Sequence, residues 1–548
     1  MPFSTKSSVR SFFSCIPLTA AAAVFLAAGA AFIVPLAAAI APLAGSSGGK
    51  SILTAHVLRT TFFTLQVAAG STLIAAVIGI PAAFFTANRN FPGRTFLLSL
   101  SAVPLCIPAL IIALGFVSFF GMNGTCNRIL IQVFNIQEPP LTFLYSYTGI
   151  IIAQGFYNFP LVMGTVSASW EQLPQEEADA ARMLGATEWH LFRTITLYQI
   201  APAVVSACIP VFLYSFFSFM IVLLFGSPGG STLEVELYQA SRTTLDFSEA
   251  ARLAVFETLC AATVVGAEGL LEQKSAKVRG LSFSGEKKRS PVRRQEYPAA
   301  CILAGMIVFF FLFPLLGILT GGLKGRSTET VTLSIFRSLF SDPAFLAAVR
   351  NTFLTATATG TCCTLCALVW AVYIRRRDPA GTDILLRTVS LLPMSVSSIV
   401  TGFGMTLLVH SGTPALLVAA QTALTWPLAF RQIYTSLARL PEETEAAAEL
   451  LSPHFSDMIY RIYLPYSARG IIAAFGFCFA VSAGDTALPL VLAVPRFDTL
   501  SLYTYRLAGS YRFSQACACG AVLGFMCALV FVISQKYMQQ KHTGGNAA

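Results

Sequence analysis

Long apolar runs fill most of this 548-residue chain, and they constrain its fold more than any other feature. A helix needs about 20 mostly apolar residues to cross a bilayer, and the runs reach or approach that length. In chain order they are Phe12–Leu43, Phe62–Phe85, Phe96–Phe120, Tyr147–Val166, Pro202–Phe225, Ala250–Ala267, Ala299–Thr320, Phe345–Ile374, Thr388–Val409, Ala415–Leu437, Gly470–Leu492 and Ala516–Ile533. The sequence therefore predicts an all-α integral membrane protein with about 12 transmembrane helices.

The composition agrees with a chain that lies in a lipid bilayer and argues against a nucleic-acid partner. Hydrophobic residues make up 55% of the chain and charged residues 11%. The net charge of +10 comes from basic residues between the apolar runs, with no basic patch interleaved with aromatic side chains. Cytoplasmic loops of membrane proteins are enriched in Lys and Arg, and this rule predicts that both termini and the basic segment 268–298 are cytoplasmic.

A short polar helix is predicted twice, 267 positions apart, each time between two apolar runs. The first copy, Leu173–Gly185, carries acidic residues in its first turn and ends in a glycine suited to a left-handed C-terminal conformation. The second copy, Leu440–Ser452, ends before Pro453, which disfavours a helical conformation at the residue before it. Small alanine side chains leave one face open to close packing, so each copy is interpreted as a docking surface rather than a catalytic site.

Both copies resemble the EAA loop of ABC importer permeases, E-A-A-x3-G-x9-I-x-L-P, through which a cytoplasmic ATPase drives the membrane helices. The first copy supplies Glu177, Asp179, Ala180, Ala181, Gly185, Ile195 and Leu197. The second copy supplies Glu445, Ala446, Ala447, Ala448, Ser452, Ile462, Leu464 and Pro465. The pattern departs from the motif at Asp179, at Tyr198 in place of the proline, and at Ser452 in place of the glycine. The resemblance implies that these residues couple the chain to its ATPase.

The repeat extends beyond the two polar helices and divides the chain into two homologous permease halves, a pseudo-dimer. Pro104 with Gly115 is echoed by Pro393 with Gly404, and Asn158-Phe159-Pro160 by Thr425-Trp426-Pro427. The predicted division is an N-terminal helix and outer loop over 1–57, a first permease domain over 58–267, a basic cytoplasmic linker over 268–298, a helix and outer loop over 299–346, a second permease domain over 347–536, and a cytoplasmic tail over 537–548. The first apolar run exceeds the 7–15 residues of a signal peptide core, so an uncleaved helix is expected there.

Fused double permeases of this kind resemble the iron(III) and thiamine branch of type I ABC importers. Within that branch, the segments Gly226–Ala240 and Thr499–Arg512 look most like those of thiamine permeases. The resemblance implies a membrane subunit that imports thiamine in an ATP-driven and binding-protein-dependent way, with iron(III) as the alternative cargo. It further implies a location in the bacterial cytoplasmic (inner) membrane, a cytoplasmic ABC ATPase dimer as partner, and an extracytoplasmic substrate-binding protein.

One acidic side chain, Asp485, is the clearest ionisable group inside an apolar run, and such groups are functional candidates because burying them in a membrane is costly. Its equivalent in the first half is Ser218, so the charge is not part of the repeated scaffold. Aromatic faces attract cations, which favours a cation path lined by aromatic side chains. The candidate path residues are Asp485, Ser218, Phe217, Phe477, Asn158 and Trp426. The alternative for Asp485 is that it caps an interruption of its helix.

Catalytic and metal-binding motifs are not found in the sequence. The five histidines are scattered, and Cys362-Cys363-Thr364-Leu365-Cys366 lies inside an apolar run with no second C-x-x-C nearby, so no metal site is predicted. Ala44–Ser51 resembles a relaxed phosphate-binding loop but follows a membrane helix instead of a strand. The chain is therefore predicted to be no enzyme and to bind no cofactor, with ATP and Mg²⁺ bound by the partner ATPase.

A secondary transporter is the remote alternative, because such proteins also contain internal repeats. It would have no use for two cytoplasmic docking helices.

Overall fold

The computed structural model describes residues 27, 29–45, 54–102, 104, 107–173, 175–226, 230–278, 289–323, 333–377, 390–409, 411–451 and 455–539. Ser452, the first part of the run Phe12–Leu43, most of the phosphate-loop-like segment, the middle of the basic linker and the end of the tail lie outside this set. Within it, the two strands are Arg89–Asn90 and Ser290–Pro291, which pair in parallel. The described remainder is helical or forms short connections.

The helices of the first half follow the predicted runs. They are α1 (Gly29–Ala44), α2 (Ala55–Asn88), α3 (Arg94–Ser99), α4 (Ala109–Phe120), α5 (Thr125–Phe134), α6 (Tyr147–Glu171), α7 (Gln175–Met183), α8 (Glu188–Phe216), α9 (Met220–Phe225), α10 (Leu233–Tyr238) and α11 (Phe247–Val278). The last of these runs into the segment expected to be linker, so the first part of that segment is helical.

The second half begins after the linker. Its helices are α12 (Arg294–Leu323), α13 (Ser334–Phe340), α14 (Pro343–Arg377), α15 (Ser398–Leu408), α16 (Pro414–Leu437), α17 (Glu442–Leu451), α18 (Ile459–Gly484), α19 (Ala487–Leu492), α20 (Leu500–Gly509) and α21 (Phe513–Gln539). Among the described residues, nine helical stretches are long and apolar enough to cross a membrane, one of which is α4 and α5 taken together, and α1 and α15 are shorter apolar helices. Together with α16, these helices overlap all the predicted runs.

Four runs that were predicted to be continuous helices are interrupted. Prolines explain two of the breaks, because Pro108 precedes α4 and Pro393 lies in a 3₁₀ turn before α15. The other two breaks separate α8 from α9 at Phe217 and α18 from α19 at Asp485. The apolar character continues across these points, which is why the hydrophobic pattern alone did not reveal them.

The sequence repeat is a structural repeat with conserved helix boundaries. The starts of α6, α7, α9 and α10 are followed 267 positions later by the starts of α16, α17, α19 and α20. Both halves also carry one π-helical turn at the same place, Phe192–Thr196 in α8 and Ile459–Tyr463 in α18. The two halves therefore have the same architecture, as the sequence predicts.

The first helix of each half packs against the other half. In α12, Pro314 places its carbonyl oxygen against Gly115 of α4, and Gly317 accepts a hydrogen bond of 2.8 Å from the Ser118 hydroxyl. In α1, the carbonyl oxygen of Pro35 lies against Gly404 of α15, the residue equivalent to Gly115. These two crossings interlock the halves.

Candidate coupling helices and translocation cavity

The two EAA-like helices, α7 and α17, each join one long helix to the next. The C-terminal end of α7 is closed by hydrogen bonds from the Ala186 amide to the Ala181 carbonyl and from the Gly185 amide to the Arg182 carbonyl, each 3.0 Å long. Gly185 adopts φ +86°, the left-handed conformation that the sequence predicts and that other residues adopt only with strain. The matching residue Ser452 lies outside the described residues.

Each coupling helix ends in two large apolar side chains that are almost fully exposed. Met183 and Leu184 are both 90% exposed, and Leu450 and Leu451 are 88% and 87% exposed. The two pairs occupy equivalent positions of the repeat. Exposed apolar patches that are rimmed by polar residues mark interaction surfaces, and both helices present the same apolar tip. The alanines were the predicted docking face and these tips were not predicted, although an apolar pair repeated in a polar helix was the available signal.

The EAA-like residues of the first copy lie at the surface of α7 or just after it. Asp179 pairs with Arg182 at 2.8 Å, and Glu177 accepts a hydrogen bond of 2.6 Å from the Gln199 side chain. Ala180 is exposed and Ala181 is half-buried. Among the described residues, the ion pair and the hydrogen bond that hold this copy therefore lie at the protein surface.

The second copy is attached to the membrane helices by a buried network. Glu445 is 9% exposed, forms an ion pair of 3.1 Å with Arg375 at the end of α14, and accepts a hydrogen bond from the Tyr463 hydroxyl. Ala446 and Ala447 are exposed, and Ala448 is half-buried against the second-half core. The first copy has Ala178 at the position of Glu445, so the two coupling helices are attached differently to their halves.

The I-x-L part of the motif lies at a π-helical turn in both halves. Ile195 and Ile462 are half-buried inside these turns, and Leu197, Leu464 and Pro465 follow as exposed or mostly exposed residues at the start of the α-helical segment. Single π turns within α-helices recur at functional positions. Each turn lies near the start of the long helix that follows a coupling helix.

A cavity of about 360 Å³ lies between the two halves. First-half residues from α6 and the break between α8 and α9 form one wall, and second-half residues from α16 and the break between α18 and α19 form the other. Pockets for small molecules span roughly 300–1,000 Å³. The cavity is therefore large enough for a small organic substrate.

Four of the six predicted path residues line this cavity, namely Asp485, Ser218, Phe217 and Asn158. The other two, Trp426 and Phe477, are 2% and 4% exposed and pack in the second-half core. The equivalent residues Ser218 and Asp485 thus line the same cavity. Of the two, only Asp485, from the second half, is an ionisable residue. The role of these residues in transport stays a prediction.

Both carboxylate oxygens of Asp485 accept hydrogen bonds. Oδ1 accepts from the amides of Ala487 and Leu488, at 3.0 and 3.3 Å, and so caps α19, while Oδ2 accepts from the Gln421 side chain at 3.2 Å. Capping a helix interruption is the alternative role that the sequence leaves open. Asp485 fulfils it and also faces the cavity.

Two buried amide side chains of the first half line the cavity and carry unpartnered atoms. Gln154 accepts a hydrogen bond from Ser71 at 2.9 Å, but its Nε2 has no partner within the described residues. Asn158 donates to Ser215 at 3.4 Å, and its Oδ1 is likewise unpartnered. These side chains are 1% and 2% exposed. In the second half, Gln421 occupies the position of Gln154, and its amide nitrogen donates to Asp485.

Two buried carboxyl groups near the cavity escaped the sequence analysis. Glu234 lies in α10, is 2% exposed and lines the cavity, and Glu257 lies in α11 and is 1% exposed. The two carboxyl groups lie beside each other and beside Ser397 of the second half. The available signal for Glu257 was an acidic residue inside the predicted span Ala250–Ala267.

Comparison with known proteins agrees with this arrangement. Residues 75–271 and 364–543 each match the family described as binding-protein-dependent transport system inner membrane component. Each match covers most of one half and includes its coupling helix, so both halves are permease units.

Relatives along nearly the whole chain are thiamine transport system permease proteins, ThiP. The protein of Salmonella typhimurium is 25% identical over 498 residues, and that of Escherichia coli 25% identical over 494 residues. The protein of Brucella abortus is 27% identical over 494 residues, and in all three cases the alignment covers 88% of this chain and 88% of the relative. With its two family matches and its apolar helices, this chain is a multi-pass membrane protein that belongs to the family of binding-protein-dependent transport system inner membrane components.

Proposed function

We propose that this chain is the membrane permease subunit of an ATP-driven importer whose cargo is thiamine. The observation that carries the transport mechanism is the pair of equivalent apolar tips, Met183-Leu184 and Leu450-Leu451, each 87–90% exposed on a polar helix. The similarity to thiamine permeases over 88% of the chain supports the cargo.

The partner at the two tips is a cytoplasmic ABC ATPase dimer. Two equivalent docking helices suit a partner with two equivalent binding sites, because a pseudo-symmetric surface pairs best with a symmetric dimer. ATP and Mg²⁺ bind to that partner. Closure of the ATPase dimer pulls α7 and α17 together, and the π-helical turns behind them transmit the movement into α8 and α18.

The orientation follows from the docking surface. Both coupling helices, the linker and the two termini face the cytoplasm, where Lys and Arg are enriched in loops. The loops at the opposite ends of the helices receive cargo from an extracytoplasmic substrate-binding protein. The halves then rock between outward-open and inward-open arrangements around the cavity, as alternating access requires.

The substrate path runs through the cavity between the halves. Phe217, Ser218, Asn158 and Asp485 contact the cargo there, and the aromatic faces attract the positively charged thiazolium ring. Trp426 and Phe477 act from the second-half core by supporting the wall.

The test is ATP-dependent uptake into vesicles that hold this chain, its ATPase and its binding protein. Labelled thiamine and labelled iron(III) are offered separately, and an ATPase variant unable to hydrolyse ATP serves as control. Uptake of thiamine that requires ATP is the expected result. Uptake of iron(III) instead would overturn the cargo but keep the coupling mechanism, whereas thiamine uptake without the ATPase would indicate a secondary transporter.

A further inference from the structure

The Glu234 side chain occupies a defined position in the wall of the cavity. It belongs to α10, whose first residue, Leu233, donates a backbone hydrogen bond of 2.9 Å to the Thr64 hydroxyl of α2. This bond anchors the start of the short helix to the first-half scaffold. Glu234 then borders the cavity while remaining 2% exposed, so the residue lies at the cavity wall and is shielded from bulk water.

A second carboxyl group lies at this place. Glu257 of α11 lies beside Glu234, and both lie beside Ser397. In the described part of the chain, the nearby Glu236 pairs with His56 and Glu249 pairs with Arg252, whereas Glu234 and Glu257 form no ion pair. Burying uncompensated carboxylates is costly, and the cost falls when a positive charge comes within contact distance.

Two buried side chains that line the cavity also carry hydrogen-bonding atoms without partners. Gln154 Nε2 and Asn158 Oδ1 belong to side chains that are at most 2% exposed, line the cavity and have no partner for these atoms among the described residues. Unsatisfied buried polar atoms cost free energy unless a ligand or water supplies the missing bond. They indicate a polar ligand with both donor and acceptor groups.

Aromatic side chains complete the lining around Glu234. Tyr157, Tyr214, Phe217 and Phe219 all border the cavity. Aromatic faces attract flat organic cations more strongly than they attract neutral rings. A carboxylate, two free amide atoms and aromatic walls together suit a small organic monocation that carries its own hydrogen-bonding groups.

We propose that the cavity is a binding site for the cationic ring of the substrate, with Glu234 as its counter-charge and Gln154 and Asn158 as its polar contacts. The proposal rests on the proposed thiamine function, because thiamine contains a thiazolium cation and an aminopyrimidine that donates and accepts hydrogen bonds. Asp485 adds to the negative field, but its oxygens are engaged by α19 and Gln421. Glu234 is therefore the residue that determines selectivity for a cation.

The test measures equilibrium binding of labelled thiamine to the assembled permease–ATPase complex in lipid nanodiscs, without the binding protein. Glu234→Gln keeps the size of the side chain and removes its charge, and Glu236→Gln is the matched control on the same helix. Removing the counter-charge of a cation in a site shielded from water weakens binding, so we expect Glu234→Gln to raise the Kd of thiamine about tenfold or more. Glu236→Gln should leave the Kd unchanged.

Two further measurements separate a binding role from a structural one. Competition with the neutral analogue in which carbon replaces the thiazolium nitrogen should favour thiamine in the unchanged protein and lose that preference in Glu234→Gln. Glu234→Asp retains the charge and should restore part of the preference. Assembly with the ATPase, measured by co-purification, reports whether each variant folds.

The outcomes distinguish this inference from the proposed function. If vesicles import thiamine but the Kd is unaffected by Glu234→Gln, or if the complex binds no thiamine, the site is overturned and the import function stands. If vesicles import iron(III) instead of thiamine, the proposed function and the cation site both fail.

Discussion

Gly115 in α4 lies directly against the carbonyl oxygen of Pro314 in α12, the first helix of the other half. Gly404 of the second half likewise lies against the carbonyl oxygen of Pro35 in α1, the first helix of the first half. Each half therefore supplies one glycine and one first helix to these two contacts. A β-carbon at either glycine would overlap a backbone oxygen, which cannot move as a flexible side chain can. The sequence repeat pairs Gly115 with Gly404, and the crossing of helices explains why both positions are glycine.

Gly115→Ala should destabilise the protein because its methyl group would push α12 away from α4. Overpacking of this kind costs about 1–3 kcal/mol. Thermal unfolding of the purified protein in detergent should show a lower midpoint. Gly305→Ala in α12, where no atom lies within 4 Å of the added carbon, is the matched control and should not lower it. Equal midpoints in the two variants would contradict the helix crossing.

Replacing both Met183 and Leu184 by serine should weaken docking of the ATPase. Central apolar anchors of an interface often contribute 2 kcal/mol or more when truncated, so co-purification of the ATPase should fall strongly. The same change at Leu450 and Leu451 should have a similar effect. Val133→Ser, at an exposed position of α5 on the predicted outer side, serves as control, and full ATPase recovery with both tips changed would refute the docking surface.

Gly185→Val should uncouple ATP hydrolysis from uptake. The left-handed conformation costs an ordinary L-residue about 1–2 kcal/mol, and a β-branched side chain fits it worse. The end of α7 should therefore unwind while the ATPase remains active. Gly185→Asn is the control, because asparagine tolerates this conformation. The ratio of thiamine imported to ATP hydrolysed should fall in the valine variant only, and normal transport there would count heavily against the mechanism.

Glu445→Gln should destabilise the second coupling helix. The change removes the carboxylate that forms the buried ion pair with Arg375, and breaking such a pair costs about 3–5 kcal/mol. Arg461→Gln removes an ion pair that is mostly exposed, where the cost is at most about 1 kcal/mol. Limited proteolysis of the loop around α17 should be faster in Glu445→Gln than in Arg461→Gln. Indistinguishable cleavage rates would show that the buried pair does not hold the helix.

Asp485→Asn should depress uptake while leaving expression and ATPase docking intact. Asparagine can still cap α19, so the variant removes the charge and keeps the helix. Asp485→Ala removes both and should also lower stability, by about 1 kcal/mol. Unchanged uptake in the asparagine variant would restrict Asp485 to its capping role.

Much of the architecture could be predicted from the sequence because it depends on local patterns. Hydrophobic runs indicate the helices, and the repeat indicates two halves with matching coupling helices. The left-handed turn at Gly185 follows from a glycine at the end of a polar helix. In each case the physical cause lies within a few neighbouring residues.

The cavity could not be predicted to the same extent because it depends on how distant helices meet. Nothing near Glu234 in the sequence shows that it faces Ser397 of the other half. The break at Phe217 lies in an unbroken apolar stretch, and Trp426 and Phe477 are aromatic like Phe217 and Tyr214, which do line the cavity. A hydrophobic pattern shows that a side chain is apolar, but it does not show whether that side chain packs in a core or lines a cavity.

The crossings of the first helices change what the linker has to do. Because α1 contacts the second half at Gly404 and α12 contacts the first half at Gly115, the halves would remain in contact through these crossings if the peptide chain were cut between residues 278 and 289. Two separately translated halves would meet through the same crossings. Covalent fusion therefore guarantees equal numbers of the two halves. The two helix crossings resist separation of the halves during each transport cycle.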